Sequence, residues 1–448
     1  MKKVALMSCR SPFLDDSKVY VPLANLYLKS YIEQHHKNIE ITLLDDDYDI
    51  AKPEMFEPYD YIGVSIMTPQ REEAHKLLTT IKQKYPEKKM IAGGPHVKHY
   101  LSNIVKEPWD YLVPLDGERA LRMILTGEKS RVVEDVMSRS DIKNQPRPDR
   151  TSDNARKIIQ NYHYVLQGKK ASTMMTARGC PEKCTFCEDA ETTVKWSSLE
   201  NLKGEMDDIK NMGFEGVYIF DDLFAIAMNM VRPICDELSK RDLVYRCNGQ
   251  VRYFTKWGED FAKMLGSTGC VEIAFGFESG SQKILDNIQK RTSVEMNYKA
   301  VEYAQKNGIK VKGFVMLGLP GENLETIAAT ESFIANSGID DFQLAIYYPY
   351  KGTKIRDAID RNDNSADIMF VGEGLGAYGQ KGGSTESVVR TSTLTAEELL
   401  YHRDRLVNTY KPKSHEHKWK DKFRETHLKT RPEYDDKLEV MKKVLEAS

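Results

Sequence analysis

This chain of 448 residues lacks a strong charge of either sign and any hydrophobic run long enough to cross a membrane. Its 65 lysines and arginines nearly balance 67 aspartates and glutamates, for a formal net charge of -2, so no global field attracts nucleic acid or an anionic membrane. The N-terminal stretch MKKVALMSCRSPF carries an apolar run far shorter than a signal peptide requires, and no later run approaches a membrane span. We therefore expect a cytoplasmic protein with no membrane partner and without nucleic acid as a favoured partner.

The chain also lacks the cysteine pattern of two common kinds of protein. Seven cysteines are an odd number and are scattered, unlike the disulfide framework of a small secreted domain. Three of them, Cys180, Cys184 and Cys187, lie within eight residues, but no second pair follows to close a structural zinc site. Three thiolates at this spacing can instead hold a cubane iron–sulfur cluster, which leaves one iron open to a substrate or cofactor. The isolated cysteines are expected to be small buried side chains: Cys235, Cys247 and Cys270.

The length and composition predict a globular protein of two or three domains. Hydrophobic residues make up 40% of the chain and charged residues 29%, which is enough apolar material for real cores. The first 130 residues alternate strand-like and helix-like runs, which is typical of a doubly wound parallel sheet. We predict an α/β protein with a Rossmann-like domain at 1–130, a connector at 131–165, a partial parallel β/α barrel at 166–370, and a Gly-rich loop with a helical C-terminal segment at 371–448.

Ligands bind a doubly wound sheet at the carboxyl ends of its strands, which here are followed by three loops. These loops contain the candidate ligand-contacting residues of the N-terminal domain: Ser65, Thr68, Gly93, Gly94, Gly117 and Glu118. Two adjacent glycines let the backbone come close to a ligand, but taken alone they favour a tight turn after a strand. The loops therefore form one candidate site, with the simple turn as the alternative.

The barrel region predicts an active site at the cysteine cluster. Six strand-like runs follow one another with helical segments between them: ASTMMTA, GVYIFDD, LVYRCNG, VEIAFGFES, VKGFVMLGLP and DFQLAIYYPY. The three cysteines follow the first of these strands, and reactive groups in parallel barrels lie on the loops after the strands.

The cysteine motif resembles that of the radical S-adenosylmethionine (SAM) enzymes. The pattern is C-x3-C-x2-C, with the aromatic Phe186 before the last cysteine. Four later segments resemble elements of the same family in the same order, so that the resemblance spans about residues 170–357: VYIFDDLF with Asp221 and Asp222, IAFGFESGS with Glu278 and Ser279, GFVMLGLPGE with Gly318, and YPYKGTKI.

The resemblance implies a mechanism. Cys180, Cys184 and Cys187 would hold a [4Fe-4S] cluster whose open iron chelates SAM, and an electron from the cluster would release a 5′-deoxyadenosyl radical that abstracts a substrate hydrogen. The protein would supply orientation and a dry barrel. Phe186 would pack near adenine, and the other segment residues would contact the cofactor. An ordinary acidic turn is the alternative for the two aspartates. Arg252 is predicted to bind the cofactor carboxylate or, equally, to form a surface ion pair.

The N-terminal segments resemble, by pattern and order, the cobalamin-binding domain of one large subgroup of this family. The D-x-H-x-x-G motif that supplies a histidine ligand to cobalt in many cobalamin proteins is absent, and His96 lies in a different context. Many members of the subgroup bind cobalamin without such a histidine. The resemblance therefore favours cobalamin over a cofactor-free domain, bound at the loops named above.

The implied function is cobalamin-dependent methylation of an unactivated carbon or phosphorus in a small molecule, with a donor such as flavodoxin or ferredoxin supplying electrons. Rearrangement or cyclisation is the alternative within the subgroup. A radical enzyme acting on tRNA or protein, with the N-terminal domain as a recognition module, is another, although the neutral charge balance supplies no basic groove. The order of the barrel motifs disfavours a protein for electron transfer or metal storage.

Three features of the C-terminal region complete the predictions. GLGAYG at 374–379 matches G-x-G-x-x-G, but no amphipathic helix follows, so we predict a mobile cover over the substrate opening rather than a dinucleotide site. Thr395 and Glu398 predict a capping box at the start of a helix. His415 and His417 are expected to be solvated.

Overall fold

The computed structural model describes residues 1–10, 16–363, 367–372, 386–411 and 435–441. The chain packs as two compact units, and each contains segments that are separated in the sequence. The first unit contains residues 1–178, 194–220 and 237–243. The second contains residues 179–193, 221–236 and the described residues from 244 onwards.

A five-stranded parallel sheet lies at the centre of the N-terminal region. Its strands are β1 (Lys2–Ser8), β2 (Ile39–Asp45), β3 (Tyr61–Ser65), β4 (Lys89–Gly93) and β5 (Tyr111–Val113). They lie in the order β2-β1-β3-β4-β5, and every neighbouring pair is parallel. This is one of the two common orders of a doubly wound sheet, so the predicted Rossmann-like fold is confirmed.

Helices accompany these strands in alternation along the chain. They are α1 (Leu23–His35), α2 (Arg71–Lys84), α3 (Pro95–His99), α4 (Leu101–Ile104) and α5 (Gly117–Thr126), with 3-10 turns at Pro53–Phe56 and Thr68–Gln70. Helix α2 buries Ala74, Leu77, Leu78 and Ile81, at the spacing of one helical face. The same apolar face joins the core with strand residues such as Ile62, because parallel strands between helices are buried on both sides.

Two short helices and a hairpin follow. Helices α6 (Arg139–Asn144) and α7 (Asp153–Gln160) each begin after a serine whose hydroxyl accepts a backbone hydrogen bond. Strands β6 (Val165–Leu166) and β7 (Lys169–Met174) then pair antiparallel across a two-residue turn. The turn residues have φ of 48° at Gln167 and 80° at Gly168, as a tight hairpin requires. The second strand of this hairpin was predicted from the sequence, and the first was not.

The second large sheet has seven strands. The two-residue strands β8 (Ala177–Arg178) and β9 (Lys195–Trp196) pair with each other in a separate small sheet. The large sheet contains β6 and β7 together with β10 (Gly216–Ile219), β11 (Val244–Gly249), β12 (Cys270–Glu278), β13 (Lys310–Leu317) and β14 (Asp341–Ile346). The order is β14-β13-β12-β11-β10-β7-β6. Pairs β7–β10, β11–β12, β12–β13 and β13–β14 are parallel. All six predicted strands are present, and the predicted partial parallel barrel is confirmed.

The helices of this region follow the strands in the expected alternation. They are α8 (Leu199–Asn211), α9 (Met228–Lys240), α10 (Val251–Ser267), α11 (Gln282–Asn287), α12 (Val294–Lys306), α13 (Leu324–Asn336), α14 (Lys354–Asp360) and α15 (Ala396–Tyr410). A small antiparallel pair, β15 (Met369–Phe370) and β16 (Val389–Arg390), precedes α15. The predicted capping box is confirmed, because the Thr395 hydroxyl accepts from the Glu398 N–H and the Glu398 carboxylate accepts from the Thr395 N–H.

Among the described residues, no helix is both long and apolar enough to cross a membrane. The predicted loop at 374–379 and the two histidines at 415 and 417 lie outside the described residues.

One ion pair in the first unit is completely buried. The side chains of Arg150 and Glu205 are 0% and 1% exposed, and Nη2 of the arginine lies 2.7 Å from Oε1 of the glutamate. Arg150 also donates to the Ser172 hydroxyl at 3.1 Å and to the carbonyl of Thr173. The guanidinium therefore connects the segment before α7, helix α8 and strand β7. Removing one member of such a pair leaves an uncompensated charge in the core.

Replacing Arg150 by Met should lower the free energy of unfolding by about 3–5 kcal/mol, because the Glu205 carboxylate loses its cation. Arg147→Met is the matched control, since Arg147 has a side chain 46% exposed and pairs with Asp208, and exposed pairs contribute less than about 1 kcal/mol. Urea denaturation followed by circular dichroism measures the difference. Equal stability of the two variants would contradict the prediction, and Arg150→Met/Glu205→Leu should recover part of the loss.

Candidate active site

The cysteine loop begins at a glycine that no other residue can replace without strain. Gly179 has φ of +95°, and a Cβ built on it would lie 2.5 Å from the carbonyl oxygen of Thr193. Its N–H donates to Oδ2 of Asp222 at 2.9 Å. The second of the two predicted aspartates therefore holds the start of the loop, through its charged acceptor.

Hydrogen bonds within the loop close it on itself. The N–H of Cys180 donates to Oγ1 of Thr192 at 2.8 Å, and the N–H of Thr192 donates back to the carbonyl of Cys180 at 2.9 Å. The N–H of Glu191 donates to the carbonyl of Glu182 at 2.7 Å. These bonds fix the backbone on both sides of the first cysteine.

Two further contacts tie the loop to the rest of the second unit. The N–H of Thr185 donates to the carbonyl of Ile288 at 3.0 Å, which joins the middle of the loop to the end of α11. The buried carboxylate of Glu182 forms an ion pair with Arg252, whose guanidinium carbon also lies 4.8 Å from the ring centroid of Tyr253. Of the two interpretations of Arg252, the ion pair is the one found, although its partner is buried rather than at the surface.

The three cysteines are present as free thiols with restricted exposure. Cys184 is buried, and Cys180 and Cys187 are half-buried. Burial raises the pKa of Cys180 to about 11 and that of Cys187 to about 12, and it also raises the pKa of Cys184. Because thiolates are the metal-binding form, iron would have to displace these protons on binding.

The number of thiols in the loop distinguishes between two kinds of metal site. A structural zinc ion is bound by four protein ligands, whereas three thiolates can hold a cubane iron–sulfur cluster with one iron left open. Cys180, Cys184 and Cys187 offer three free thiols in one loop. This set fits a cluster of several irons rather than a closed tetrahedral site.

One group of acidic side chains among the described residues lies close enough together to bind a cation. The carboxylates of Asp45, Asp46 and Asp47 lie within 4.8 Å of one another. Lys18 already compensates them, since its Nζ lies 2.5 Å from Oδ2 of Asp45 and 3.3 Å from Oδ1 of Asp47 and also pairs with Asp46. This group therefore carries its own cation.

A buried ion pair lies beside the aromatic residue of the cysteine motif. Nζ of Lys290 lies 2.7 Å from Oε1 of Glu278 and 5.7 Å from the ring centroid of Phe186. Burial lowers the pKa of Lys290, but the charges of Glu278 and Cys184 raise it more, so the net shift is upward and the ammonium is charged. Gly276 leaves the space for this pair, because a Cβ there would lie 2.3 Å from the Glu278 carboxylate oxygen and 2.9 Å from Nζ.

Glu278 and Phe186 were predicted from the sequence, and Lys290 was not. Glu278 adopts φ of +62°, which is uncommon for a residue with a side chain and turns it out of the regular strand. Lys290 lies just after α11, and no sequence motif relates its position to that of Glu278. Only the folded chain brings the ammonium to the carboxylate.

The remaining predicted barrel residues are held within the protein. Asp221 is buried, and its carbonyl accepts from Nδ2 of Asn248 at 3.0 Å. The hydroxyl of Ser279 is buried and lies 3.0 Å from that of Thr330. The structure therefore places both residues at strand ends, with these groups bonded to neighbouring elements.

Gly318 lies in a tight turn after β13. It has φ of +84°, and a Cβ on it would lie 2.9 Å from a side-chain carbon of Val389. Its N–H donates to Oε2 of Glu322 at 3.2 Å. Burial raises the pKa of Glu322 to about 7. A side chain at Gly318 would therefore disturb both the turn and the strand packed over it.

In the first unit, the loops after β3 and β4 come together. Ser65 pairs with Gly93 in the sheet, and the N–H of Ile66 donates to the Gly93 carbonyl at 2.9 Å. Gly94 has φ of +94°, and a Cβ there would lie 2.9 Å from the backbone nitrogen and oxygen of Ile66. Next to it, Nδ1 of buried His96 has no hydrogen-bond partner among the described residues, and burial lowers its pKa to about 4, so the ring is neutral. An unpaired polar atom at this edge fits a polar ligand group.

The third predicted loop is engaged differently. Gly117 begins α5, and the buried carboxylate of Glu118 accepts from Nη2 of Arg178 at 2.5 Å. Thr68, in the first predicted loop, is buried at the start of a 3-10 turn. The Glu118 side chain therefore serves an ion pair within the first unit.

The loop after β1 was missed by the sequence analysis. In a sheet of this order, the chain adds β2 on one side of β1 and then adds β3, β4 and β5 on the other side. Ligands bind between β1 and β3, where this order reverses. The N–H of Cys9 donates to the Ser65 carbonyl at 3.3 Å, so this loop adjoins a predicted one. Its Arg10 donates to the Asp46 carbonyl at 2.8 Å. Only the strand order indicates that this loop adjoins the ligand site, and the strand order is seen in the folded chain and not in the sequence.

Comparison with known proteins finds similar sequences and similar folds. Residues 174–334 match the model of the radical SAM superfamily. An uncharacterized methyltransferase of Pyrococcus horikoshii is 28% identical over 359 residues, which cover 75% of this chain and 77% of that protein.

Two solved structures share the fold over most of this chain. TsrM, a radical S-adenosylmethionine methyltransferase of Kitasatospora setae with cobalamin and a [4Fe-4S] cluster bound, matches with a TM-score of 0.68 at 15% identity over 84% of this chain and 82% of its own. OxsB, a cobalamin-dependent S-adenosylmethionine radical enzyme with aqua-cobalamin bound, matches with a TM-score of 0.63 at 18% identity over 82% of this chain and 56% of its own.

Residues 174–334, which contain the cysteine loop, are thus similar to the radical SAM superfamily, and the chain has the fold of the cobalamin-dependent radical SAM enzymes TsrM and OxsB.

Proposed function

We propose that this protein transfers a methyl group from SAM, by way of cobalamin, to an unactivated carbon or phosphorus of a small molecule. The observation that carries the proposal is the cysteine loop, which offers three free thiols on a backbone fixed by hydrogen bonds. A fourth protein ligand is missing from the motif, so one iron is left for SAM.

When bound, the cluster supplies an electron that cleaves SAM and so starts radical chemistry at the substrate. The chain's own residues would hold the cluster in place. Cys180, Cys184 and Cys187 would each bind one iron. Asp222 fixes the start of the loop through its hydrogen bond, and Arg252 holds the loop through the buried carboxylate of Glu182. A flavodoxin or ferredoxin is the electron donor we propose.

The predicted SAM contacts fall into two groups, which are residues that would contact the cofactor and residues that would position the strand ends. Phe186, within the cysteine loop, would pack beside adenine, and Glu278, which Lys290 joins to that ring, would receive the amino group. Gly318 would lie against the adenine end, at a turn with no room for a side chain. Asp221 and Ser279 would position the strand ends, because the carbonyl of Asp221 and the hydroxyl of Ser279 are bonded within the protein.

Cobalamin is proposed for the first unit. The strand order and the close approach of the loops at Ser65, Gly93 and Gly94 support a ligand site at this edge, and the unpaired nitrogen of His96 supplies a polar contact. The names of the relatives give a second reason, since TsrM is a methyltransferase solved with cobalamin. Thr68 and Gly117 adjoin the same strand ends, whereas Glu118 acts through its ion pair.

The test is anaerobic reconstitution of the full chain with iron, sulfide and cobalamin, followed by addition of methyl-labelled SAM and dithionite. We expect bound corrin, label on the corrin, and release of both S-adenosylhomocysteine and 5′-deoxyadenosine. Cleavage of SAM without bound corrin would instead favour a cobalamin-independent radical enzyme, in which the N-terminal domain recognises substrate. Absence of both would overturn the proposal.

Cys184→Ala should abolish cluster binding and lower SAM cleavage by at least a hundredfold, because two thiolates no longer hold the cluster. Cys235→Ala is the matched control, since Cys235 is buried beside the Tyr245 hydroxyl at 3.2 Å and outside the loop. Iron and sulfide per chain and the 5′-deoxyadenosine yield are measured for both variants. Equal iron content in the two would refute the assignment of the loop.

Gly94→Ala should weaken corrin binding at least tenfold while leaving iron content unchanged. The added methyl group meets the Ile66 backbone and displaces the loops at the proposed site. Gly168→Ala is the control for backbone strain alone, because Gly168 also has a positive φ, +80°, but open space around its Cβ position. Equilibrium dialysis with hydroxocobalamin, read at the corrin absorption bands, distinguishes the two. Equal affinities would remove Gly94 from the cobalamin site.

A further inference from the structure

The ion pair of Lys290 and Glu278 is buried beside the cysteine motif. Both side chains are nearly fully buried, at 8% and 9% exposed, and Nζ lies 2.7 Å from the carboxylate oxygen. The ammonium also lies over the ring of Phe186, within the cysteine motif. Burying two opposite charges carries a desolvation cost that apolar side chains would avoid. Because burial of this pair is costly, we expect the pair to have a function beyond packing.

The backbone around Lys290 is fixed to the same loop. Its N–H donates to the carbonyl of Leu285 at 2.9 Å, and the carbonyl of Ile288, two residues earlier, accepts from Thr185 at 3.0 Å. Its own carbonyl accepts from Nε2 of Gln250. The ammonium is thus held at a set place relative to Cys184 and Cys187, and its charge acts on both.

We propose that Lys290 and Glu278 tune the reduction potential of the cluster in opposite directions, the lysine favouring the reduced form and the glutamate the oxidised form. This inference rests on the proposed cluster at the three cysteines. In the step concerned, one electron passes from an external reductant to the cluster, and no bond in the protein forms or breaks. The reduced cluster carries one more negative charge, so a nearby cation stabilises it and a nearby anion destabilises it.

Position decides how strongly each charge acts. Charges in a buried site are screened less by water and salt than charges at the surface. Because the lysine and the glutamate compensate each other, the intact pair has a small net effect, and each member alone has a larger one. Each residue is a positioning residue of the electron-transfer step, since neither is a ligand of the cluster.

The experiment is an electron paramagnetic resonance titration of reconstituted full-length protein with dithionite, without SAM. Lys290→Met should lower the equilibrium ratio of reduced to oxidised cluster at a fixed potential at least tenfold, which is about 59 mV for one electron. Glu278→Gln should raise it at least tenfold. The double variant should return close to the unmodified protein. Lys283→Met is the matched control, because Lys283 is an exposed lysine of α11, the helix that ends just before Lys290.

Opposite shifts are the result that a structural role does not produce, since damage to the fold moves both variants the same way. Shifts of one sign, or shifts no larger than that of Lys283→Met, would overturn the proposal. Iron and sulfide per chain are measured on every sample, and if Lys290→Met fails to load, Glu278→Gln still has to shift upward. Changed SAM affinity without a changed potential would also overturn the proposal. An unmodified protein without a cluster signal refutes the proposed function itself.

Discussion

The hydrogen bond from the Gly179 N–H to the Asp222 carboxylate is the contact on which the candidate site depends. It fixes the first residue of the cysteine loop at a backbone conformation that only glycine adopts freely, with no room for a Cβ. This conformation sets the direction of the loop backbone after Gly179. Within nine residues of the sequence come the three thiols, the ring of Phe186 and the buried carboxylate of Glu182.

The second unit surrounds this loop with compensated charges rather than with apolar side chains alone. Arg252 meets Glu182, and Lys290 meets Glu278. Buried pairs of this kind add little net stability, but they hold fixed charges in a site where water is scarce. A site that handles electrons and a charged cofactor depends on such fixed charges, because they do not have to reorganise as the reaction proceeds.

The strands were predictable because parallel strands between helices are buried on both faces and so read as unbroken apolar runs. The cysteine cluster was visible because its three members lie close together in the sequence. The partners of these residues were not. Arg252 lies 70 positions from Glu182, and the positive φ of Glu278, which aims it at Lys290, has no signature in the sequence. Short hairpins such as β6–β7 are missed for a different reason, since two residues are too few to show a period.

The buried Arg150–Glu205 pair illustrates that the first unit is not a continuous stretch of chain. It takes in residues 194–220 and 237–243, far beyond the N-terminal sheet. On the ribosome, Arg150 would therefore emerge well before its partner carboxylate, and the unit would have all of its segments only after residue 243 had been made. At about 5–20 residues per second the wait between the two partners lasts several seconds. Chaperones would meet this protein with a half-assembled first unit, in which a cationic side chain destined for the core is still in water.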